Sequence, residues 1–519
     1  MSREDAIPAG VEEPDVIKKF SKDQREVIHG EPSCVICRRY GEYVCDATDD
    51  DVCSLECKGL VLLKRETPNS RLPVTDECYY VRDTPLKPTF IPLSSDQVDV
   101  VRRNFGIIVD GNAVPSPIIS FSSCCIPRKL LDNLDAAGYD MPTPVQMQSI
   151  PVAMDGRNML ISASTGSGKT ASYLIPIISS CVTMPSLQVD RSRVPLAIVL
   201  APTRELCIQI EDEAKLLAKG LVFKTALIVG GDALARQIYR INQGVEIIVA
   251  TPGRLIDLLT KNDVKLDDVK IFVLDEVDCL LQTGFKEQVL QIFAALSQPQ
   301  VVMCSATIHS EVEKFARSLA KGFVYVSTGH PNEPNKNVRQ TVIWVESKQK
   351  KKKLFDILMS KHHFMPPAVV YVGSRIGADL LSEAITAKTG LKSLSIHGEK
   401  PMKERRDVIS SFLVGDIPVL VSTGILGRGL DLLRLKQVIL FDMPNSISEY
   451  IHQVGRASRV GEQGTAIVFV NEENEKLFPE LVDILKSAGV PVPRELLNSM
   501  HTINTSVGNK KIRKRRHAS

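Results

Sequence analysis

The 519-residue chain contains no apolar run of about 18 residues, the length a membrane-spanning helix needs. Its first residues, Met1-Ser2-Arg3-Glu4-Asp5, hold no apolar signal core. These absences point away from a membrane and toward a reducing compartment. Cysteines there serve as metal ligands or buried thiols before they serve as disulfides. A strong charge of either sign is missing too. The 64 Lys and Arg exceed the 61 Asp and Glu by 3. Six of those positives sit in the tail Lys510-Lys511-Ile512-Arg513-Lys514-Arg515-Arg516, and without them the balance falls from +3 to −3. A body of that charge can hold nucleic acid only through local, geometric contacts. What is present, 44% apolar and 24% charged residues, suits sizeable cores and argues against global disorder. The length suggests about three folded units.

The 12 cysteines are unevenly placed. Cys207, Cys279 and Cys304 lie in apolar runs and read as small core residues. Five others crowd between Cys34 and Cys57. Cys34-Val35-Ile36-Cys37 and Cys53-Ser54-Leu55-Glu56-Cys57 supply two close thiol pairs, the donor set of a closed tetrahedral Zn²⁺ site. In a segment with so little core, metal binding supplies most of the folding free energy. The segment is placed at 30–66, after a charged, aperiodic leader at 1–29. Residues 67–117 carry many prolines and suit an extended linker, with a short helix near 94–104.

From 118 onward short apolar runs recur, each ending in a polar turn. Leu160-Ile161-Ser162, Ala197-Ile198-Val199-Leu200, Ile247-Ile248-Val249, Ile271-Phe272-Val273-Leu274 and Val301-Val302-Met303 fit strands buried on both faces of a parallel sheet. Longer amphipathic stretches between them fit crossover helices. A turn-rich break at 328–338 is followed by Val369-Val370-Tyr371-Val372, Leu394-Ser395-Ile396, Val419-Leu420-Val421 and Val438-Ile439-Leu440-Phe441. Two α/β domains are therefore expected, at 118–327 and 339–490, with a basic tail at 491–519. Polar residues collect at the carboxyl ends of the strands, where open α/β sheets bind ligands.

Ala163-Ser164-Thr165-Gly166-Ser167-Gly168-Lys169-Thr170 follows one such strand and opens a helix, the pattern of a P-loop whose usual first Gly is Ala163. Its backbone N–H groups and the helix N-terminus suit phosphate oxygens. Lys169 is expected at the β- and γ-phosphates and Thr170 on Mg²⁺. Asp275-Glu276-Val277-Asp278 follows another strand. Asp275 is expected to hold Mg²⁺, directly or through water, and Glu276 to orient the attacking water.

With these motifs the chain resembles the DEAD-box ATP-dependent RNA helicases, from about Phe121 to about Val470. The resemblance implies two tandem RecA-like domains that bind ATP and RNA across a cleft. Phe121 and Gly138-Tyr139-Asp140-Met141-Pro142-Thr143-Pro144-Val145-Gln146 look like the adenine-reading segment, with Gln146 at the base edge. Pro202-Thr203-Arg204-Glu205-Leu206, Gly230-Gly231 and Thr251-Pro252-Gly253-Arg254 match first-domain contacts to the RNA backbone. Such contacts give affinity without sequence choice. Ser305-Ala306-Thr307, with Asp278, matches the segment coupling ATP state to RNA. In Ser422-Thr423-Gly424-Ile425-Leu426-Gly427-Arg428-Gly429-Leu430-Asp431, Thr423 is implied at RNA and Asp431 at the ATP ribose. In His452-Gln453-Val454-Gly455-Arg456-Ala457-Ser458-Arg459, Arg456 and Arg459 are implied at the γ-phosphate, Arg459 as the arginine finger. Three residues depart from the family pattern: Val277 for Ala, Gly424 for Asp and Gln453 for Arg. The last two are expected to weaken RNA-dependent coupling or turnover, without touching the metal, base or finger positions.

The cysteine segment resembles HIT-type zinc fingers. Their spacing is kept at Cys34, Cys37, Cys45, Cys53 and Cys57 and broken at Thr48, Val61 and Glu66. One intact zinc site and one degenerate site are expected, and the pairing with a DEAD-box core points to one helicase subfamily. With only Arg38 and Arg39 as notable basic residues, the finger is expected to dock a protein, RNA being the alternative. The tail resembles a nuclear localisation patch, with a solubilising or RNA-attracting role as the alternative; a nuclear protein is expected, the cytoplasm being second. An ATP-gated RNA clamp with little unwinding is the alternative to a helicase.

Overall fold

The computed structural model describes residues 21–26, 32–45, 50–58, 61, 93–183, 194–261, 264–282, 284–329, 337–424, 435–457 and 463–498. They belong to two compact units that divide between Thr84 and Pro85.

In the small unit, β1 (Tyr43–Val44) pairs antiparallel with β2 (Asp51–Val52). Two such short strands are not stable alone. Residues 21–26 join this unit rather than the loose leader expected at 1–29. The Arg39 guanidinium donates to the carbonyl oxygens of Ser21, Lys22 and Gln24 at 3.1, 3.1 and 3.0 Å. The Ser21 N–H donates to Glu56 at 2.7 Å, and Arg25 lies 3.9 Å over the Tyr40 ring.

The large unit contains two sheets. The first has eight strands in the order β3 (Ile107–Asp110), β10 (Val324–Thr328), β4 (Met159–Ser162), β9 (Gln300–Ser305), β8 (Ile271–Leu274), β5 (Ala197–Leu200), β7 (Ile247–Ala250), β6 (Thr225–Ile228). All pairings are parallel except that of β3 with β10. Alternate residues feed separate cores on its two faces: Ile161 and Val199 enter one, Leu160 and Ile198 the other. The apolar runs thus form strands because both faces are covered by helices. The second sheet is wholly parallel, in the order β11 (Val338–Trp344), β16 (Gly464–Val470), β15 (Gln437–Leu440), β12 (Ala368–Tyr371), β14 (Val419–Ser422), β13 (Ser393–Ile396). It too divides two cores, Val369 facing one and Val370 the other.

Three boundaries differ from the sequence reading. The helix near 94–104 is present as Ser95–Asn104, closed by a Ser94/Gln97 capping box. Yet the stretch assigned to the linker also contains β3, so the first domain begins before 118. Thr328 ends β10 and Val338 begins β11, which shortens the interdomain break; 330–336 lie outside the described residues. The second domain runs past 490, because Leu496 is fully buried in its core. Of the tail expected at 491–519, residues 499–519, with all its clustered basic residues, lie outside the described residues. No described helix is long and apolar enough to cross a membrane.

Candidate functional site

The strand order sorts the motifs into two groups. The P-loop, the acidic turn and Ser305 leave the carboxyl ends of the neighbours β4, β8 and β9. Pro202-Thr203-Arg204, Thr251–Arg254 and Gly230-Gly231 leave β5, β7 and β6, the other half of the same edge. One edge of one sheet therefore carries both sets side by side.

The P-loop turns on Gly166 and Gly168, at φ +74° and +92°, where a side chain is strained. A Cβ on Gly168 would also come 2.5 Å from Gln146 Nε2. The Gln146 amide, expected at the base edge, instead spans two protein groups here. Its Nε2 donates to the Gly168 carbonyl at 3.1 Å, and its Oε1 accepts from the Thr143 N–H at 2.9 Å. Thr143 Oγ1 donates to the Ser167 carbonyl at 2.8 Å. The base segment is thereby tied to the phosphate loop. Phe121 and Tyr139 meet edge-on with centroids 6.5 Å apart, and Tyr139 Oη donates to Glu213 at 2.7 Å. Ala163 is buried in the core, so its methyl group leaves the loop interior clear. Lys169 Nζ donates to the carbonyls of Ala163 and Ser164 at 2.7 and 2.9 Å. Burial pushes its pKa down, and the charges of Asp275 and Glu276 oppose that shift. Ser167 Oγ is buried with no hydrogen-bond partner among the described residues. A lysine under strain of burial and an unpaired loop hydroxyl fit a phosphate.

Asp275 directly follows β8 and is almost wholly buried. Its carboxylate accepts from Tyr173 Oη at 2.8 Å and from the Glu276 N–H at 2.9 Å. Burial, then the charge of Glu276, push its pKa up to about 6, against Lys169 and these hydrogen bonds. Two adjacent buried acids of this kind fit a divalent cation beside them, and Thr170 stands in the first turn of the helix Lys169–Thr183. Glu276 itself sits at φ +50°. Left-handed backbone at a non-glycine residue costs on the order of 1–3 kcal/mol, and here it aims the carboxylate into the cleft. Val277, in place of the family's Ala, is fully buried and packs in the core behind it.

The second domain closes on this edge. Arg456 Nη2 lies 3.3 Å from Glu276 Oε1. A Cβ on Gly455 would come 2.4 Å from Thr165 Oγ1, so the backbone there rides close over the P-loop. Asp278 is a hub. Its Oδ2 accepts from Thr307 Oγ1 and from Ser448 Oγ (2.9 Å), and lies 2.7 Å from His452 Nε2. Thr307 Oγ1 is also 2.9 Å from Ser448 Oγ, and Ser305 Oγ donates to the Thr307 carbonyl at 2.7 Å. Asp278, Ser305 and Thr307, which the resemblance groups together, do meet here; Ser448 and His452 were not expected, and they join the same cluster from the second domain. Glu205 and Arg405, both buried, form a second unforeseen ion pair across the cleft. Removing one partner of a buried pair costs about 3–5 kcal/mol. Glu205→Ala and Arg405→Ala are each expected to lower RNA-stimulated hydrolysis by tenfold or more. Combined, they should lose little beyond either alone; strictly multiplicative losses in that double-mutant cycle would contradict the pairing.

The residues expected at RNA are partly engaged within the protein. Thr203 Oγ1 caps the helix Arg204–Leu217 through the Leu206 N–H at 3.2 Å. Arg204 packs on Gly230, where a Cβ would come 2.8 Å from Nη2. Arg254 donates to Gln237 (3.2 Å) and to the Asp232 carbonyl (2.7 Å). Gly231 adopts φ +97°, Pro202 is buried, and Gly253 stands in the first turn of the helix Pro252–Thr260 that Thr251 opens. The two helix N-termini direct their partial positive charge outward from β5 and β7. Thr423 follows β14, its N–H donating to the Ile396 carbonyl at 3.3 Å. Asp431 and Arg459 lie outside the described residues.

In the small unit, the sulfurs of Cys34, Cys37, Cys53 and Cys57 lie within 4.8 Å of one another. Cys37–Cys53 and Cys53–Cys57 sulfurs are 3.3 and 3.5 Å apart. Four thiolates at the usual Zn–S length would stand about 3.8 Å apart, so the cage fits Zn²⁺. Burial raises Cys34, but N–H donors from Cys37, Ile36 and Cys53 outweigh it and bring the thiol to about 7. Burial pushes Cys53 up to about 11 and Cys57 higher still. Cys45 and Val61 instead pack in the finger's apolar cluster, while Thr48 and Glu66 lie outside the described residues. Metal analysis is expected to give one zinc per chain, falling to none in Cys53→Ser with loss of the finger's fold; two zincs would contradict the ligand count.

The HIT zinc finger family matches residues 30–59, the DEAD/DEAH box helicase family residues 143–315, and the helicase conserved C-terminal domain residues 349–461. The chain is 60% identical over 515 residues to the DEAD-box ATP-dependent RNA helicase 41 of Arabidopsis thaliana, covering 98% of this chain and 100% of that protein. It is 47% identical to the probable ATP-dependent RNA helicase DDX59 of Homo sapiens, covering 94% of this chain and 79% of that one. Among solved structures it is similar to S. cerevisiae Dbp5 bound to RNA and ADP BeF3, with TM-score 0.64, 26% identity, and coverage of 75% of this chain and 100% of the other. With P-loop, acidic turn and cleft already in place, these matches settle the assignment: the chain belongs to the DEAD-box ATP-dependent RNA helicases, uses ATP, Mg²⁺ and Zn²⁺, and carries an N-terminal HIT-type zinc finger.

Proposed function

We propose that this helicase couples ATP hydrolysis to local RNA duplex unwinding or RNP remodelling. The observation that carries the reading is the set of bonds across the cleft, in which Asp278 joins Thr307 of one domain to Ser448 and His452 of the other. In this reading Phe121, Tyr139 and Gln146 frame the base. Residues 163–168 and Lys169 hold the phosphates, and Asp431 holds the ribose. Thr170 and Asp275 hold Mg²⁺, which neutralises phosphate charge. Glu276 takes the proton of the attacking water, and Arg456 with Arg459 stabilises the phosphoryl charge as the cleft closes. Pro202, Thr203, Arg204, Gly231, Thr251, Gly253, Arg254 and Thr423 track the RNA backbone. Closure demands one geometry of both ligands, and a duplex that cannot bend into it loses a strand. The test is strand separation with purified full-length protein, a short RNA duplex and ATP. ATP-dependent release supports the reading; tight ATP-dependent RNA binding without release supports the clamp instead.

The finger's reading as a protein-docking module is supported by what it exposes. Val35, Val44 and Leu55 are 40, 36 and 49% exposed, while Arg39 is spent on carbonyl oxygens of its own unit. The basic tail suits nuclear import, which a fusion of residues 499–519 to a fluorescent reporter would test.

A further inference from the structure

The two departures from the family pattern in the second domain meet a third residue. A Cβ on Gly424 would lie 2.3 Å from Glu449 Oε1, 3.5 Å from its Cδ and 3.8 Å from Gln453 Nε2. Glu449 Oε1 in turn accepts from Gln453 Nε2 at 3.0 Å. The space that an acidic side chain at 424 would occupy is thus filled by the Glu449 carboxylate. The amide that stands where Arg is usual is the group it binds. Gln453 is 3% exposed, and its Oε1 has no hydrogen-bond partner among the described residues, so the bond to Glu449 is what holds the amide. An Asp at 424 and an Arg at 453 would meet at this spot and cancel in charge. Gly and Gln likewise sum to zero, so the exchange leaves the local charge unchanged.

The helix Ile447–Gly455 explains why this matters. Glu449 and Gln453 lie one turn apart on one face. Ser448 and His452, the second-domain partners of Asp278, lie on the adjoining face, and Arg456 caps the end. A side chain that frees Gln453 leaves a buried amide unpaired at the helix end that presents Arg456.

We propose that Glu449 is a positioning residue, and that Gly424, Glu449 and Gln453 form one compensated unit that preserves the coupling joint between RNA and ATP sites. The two departures are then one exchange, not two independent weakenings. The proposal rests on the reading of Arg456 as phosphate-facing.

RNA-stimulated ATP hydrolysis by full-length protein tests it, with RNA-free hydrolysis, fluorescent-ATP binding and melting temperature measured alongside. Gly424→Asp sets a second carboxylate against Glu449, and RNA-stimulated kcat is expected to fall about tenfold with nucleotide binding unchanged. Gln453→Arg alone retains a partner in Glu449 and should stay within about twofold of the parent. The double variant Gly424→Asp/Gln453→Arg should recover to within about threefold. Should Gly424→Asp not fold, Glu449→Ala (about tenfold loss) against Glu449→Gln (rescue, since its amide oxygen still accepts from Gln453) reads the same unit. An unaffected Gly424→Asp, a double variant no better than the single, or equal losses in both Glu449 variants overturns the proposal. A parent protein with no RNA-stimulated hydrolysis overturns the underlying function instead.

Discussion

Replacing Glu276 by Gln is expected to lower RNA-stimulated kcat by about 10²–10⁴, the range a positioned general base contributes. The amide keeps the shape and the position set by φ +50° but cannot take a proton. ATP binding should persist within about threefold, because the P-loop and its ties to Thr143 and Gln146 are untouched. The substitution also removes the second-largest upward influence on Asp275, so its carboxylate should ionise more readily, not less. Magnesium affinity is therefore expected to hold or rise. Steady-state hydrolysis and fluorescent-nucleotide titration on the same preparation separate these effects. Unchanged hydrolysis would remove Glu276 from the role of base.

Arg456→Ala is expected to cost on the order of 10³ in hydrolysis. Arginine fingers in related phosphoryl transfers supply about 10³–10⁵. The lower end applies because Arg459, implied at the same phosphate, would remain. In the structure Arg456 Nη2 lies 3.3 Å from Glu276 Oε1, across the cleft. Arg456→Lys keeps the charge but not the planar fork, and should recover only a small part of the loss. RNA binding without nucleotide should be unaffected, since Arg456 stands at the ATP side of the sheet edge. A variant that hydrolyses normally but releases RNA early would instead assign Arg456 to the joint.

The parts of the site that could be read from sequence are contiguous. The P-loop, Asp275-Glu276 and Ser305-Thr307 are each short, and each follows a strand whose apolar run is itself legible. Ser448, His452, Glu205 and Arg405 escaped attention because their meaning lies in partners 141 to 200 positions away. Such pairs exist only once two domains have packed, and no local pattern encodes that. The strand β3 was hidden by its proline-rich neighbourhood and its antiparallel edge position, where pairing, not composition, makes it a strand. Gln146 was expected at the base edge, and its bonds to Thr143 and Gly168 depend on side-chain geometry that spacing does not fix. Gly424 and Gln453 read as two losses in sequence because Glu449, which reconciles them, reaches Gln453 only in three dimensions.

A chain ended after Gly329 tests the account most directly. It keeps the entire eight-stranded sheet with both of its cores, the P-loop and both acids. It loses Arg456, His452 and Ser448. Once circular dichroism and nucleotide binding show that it is folded, its RNA-stimulated hydrolysis should lie at least about 10³ below that of the full chain. Equal rates would mean that the first domain splits ATP unaided, and that the cleft plays no part in the chemistry.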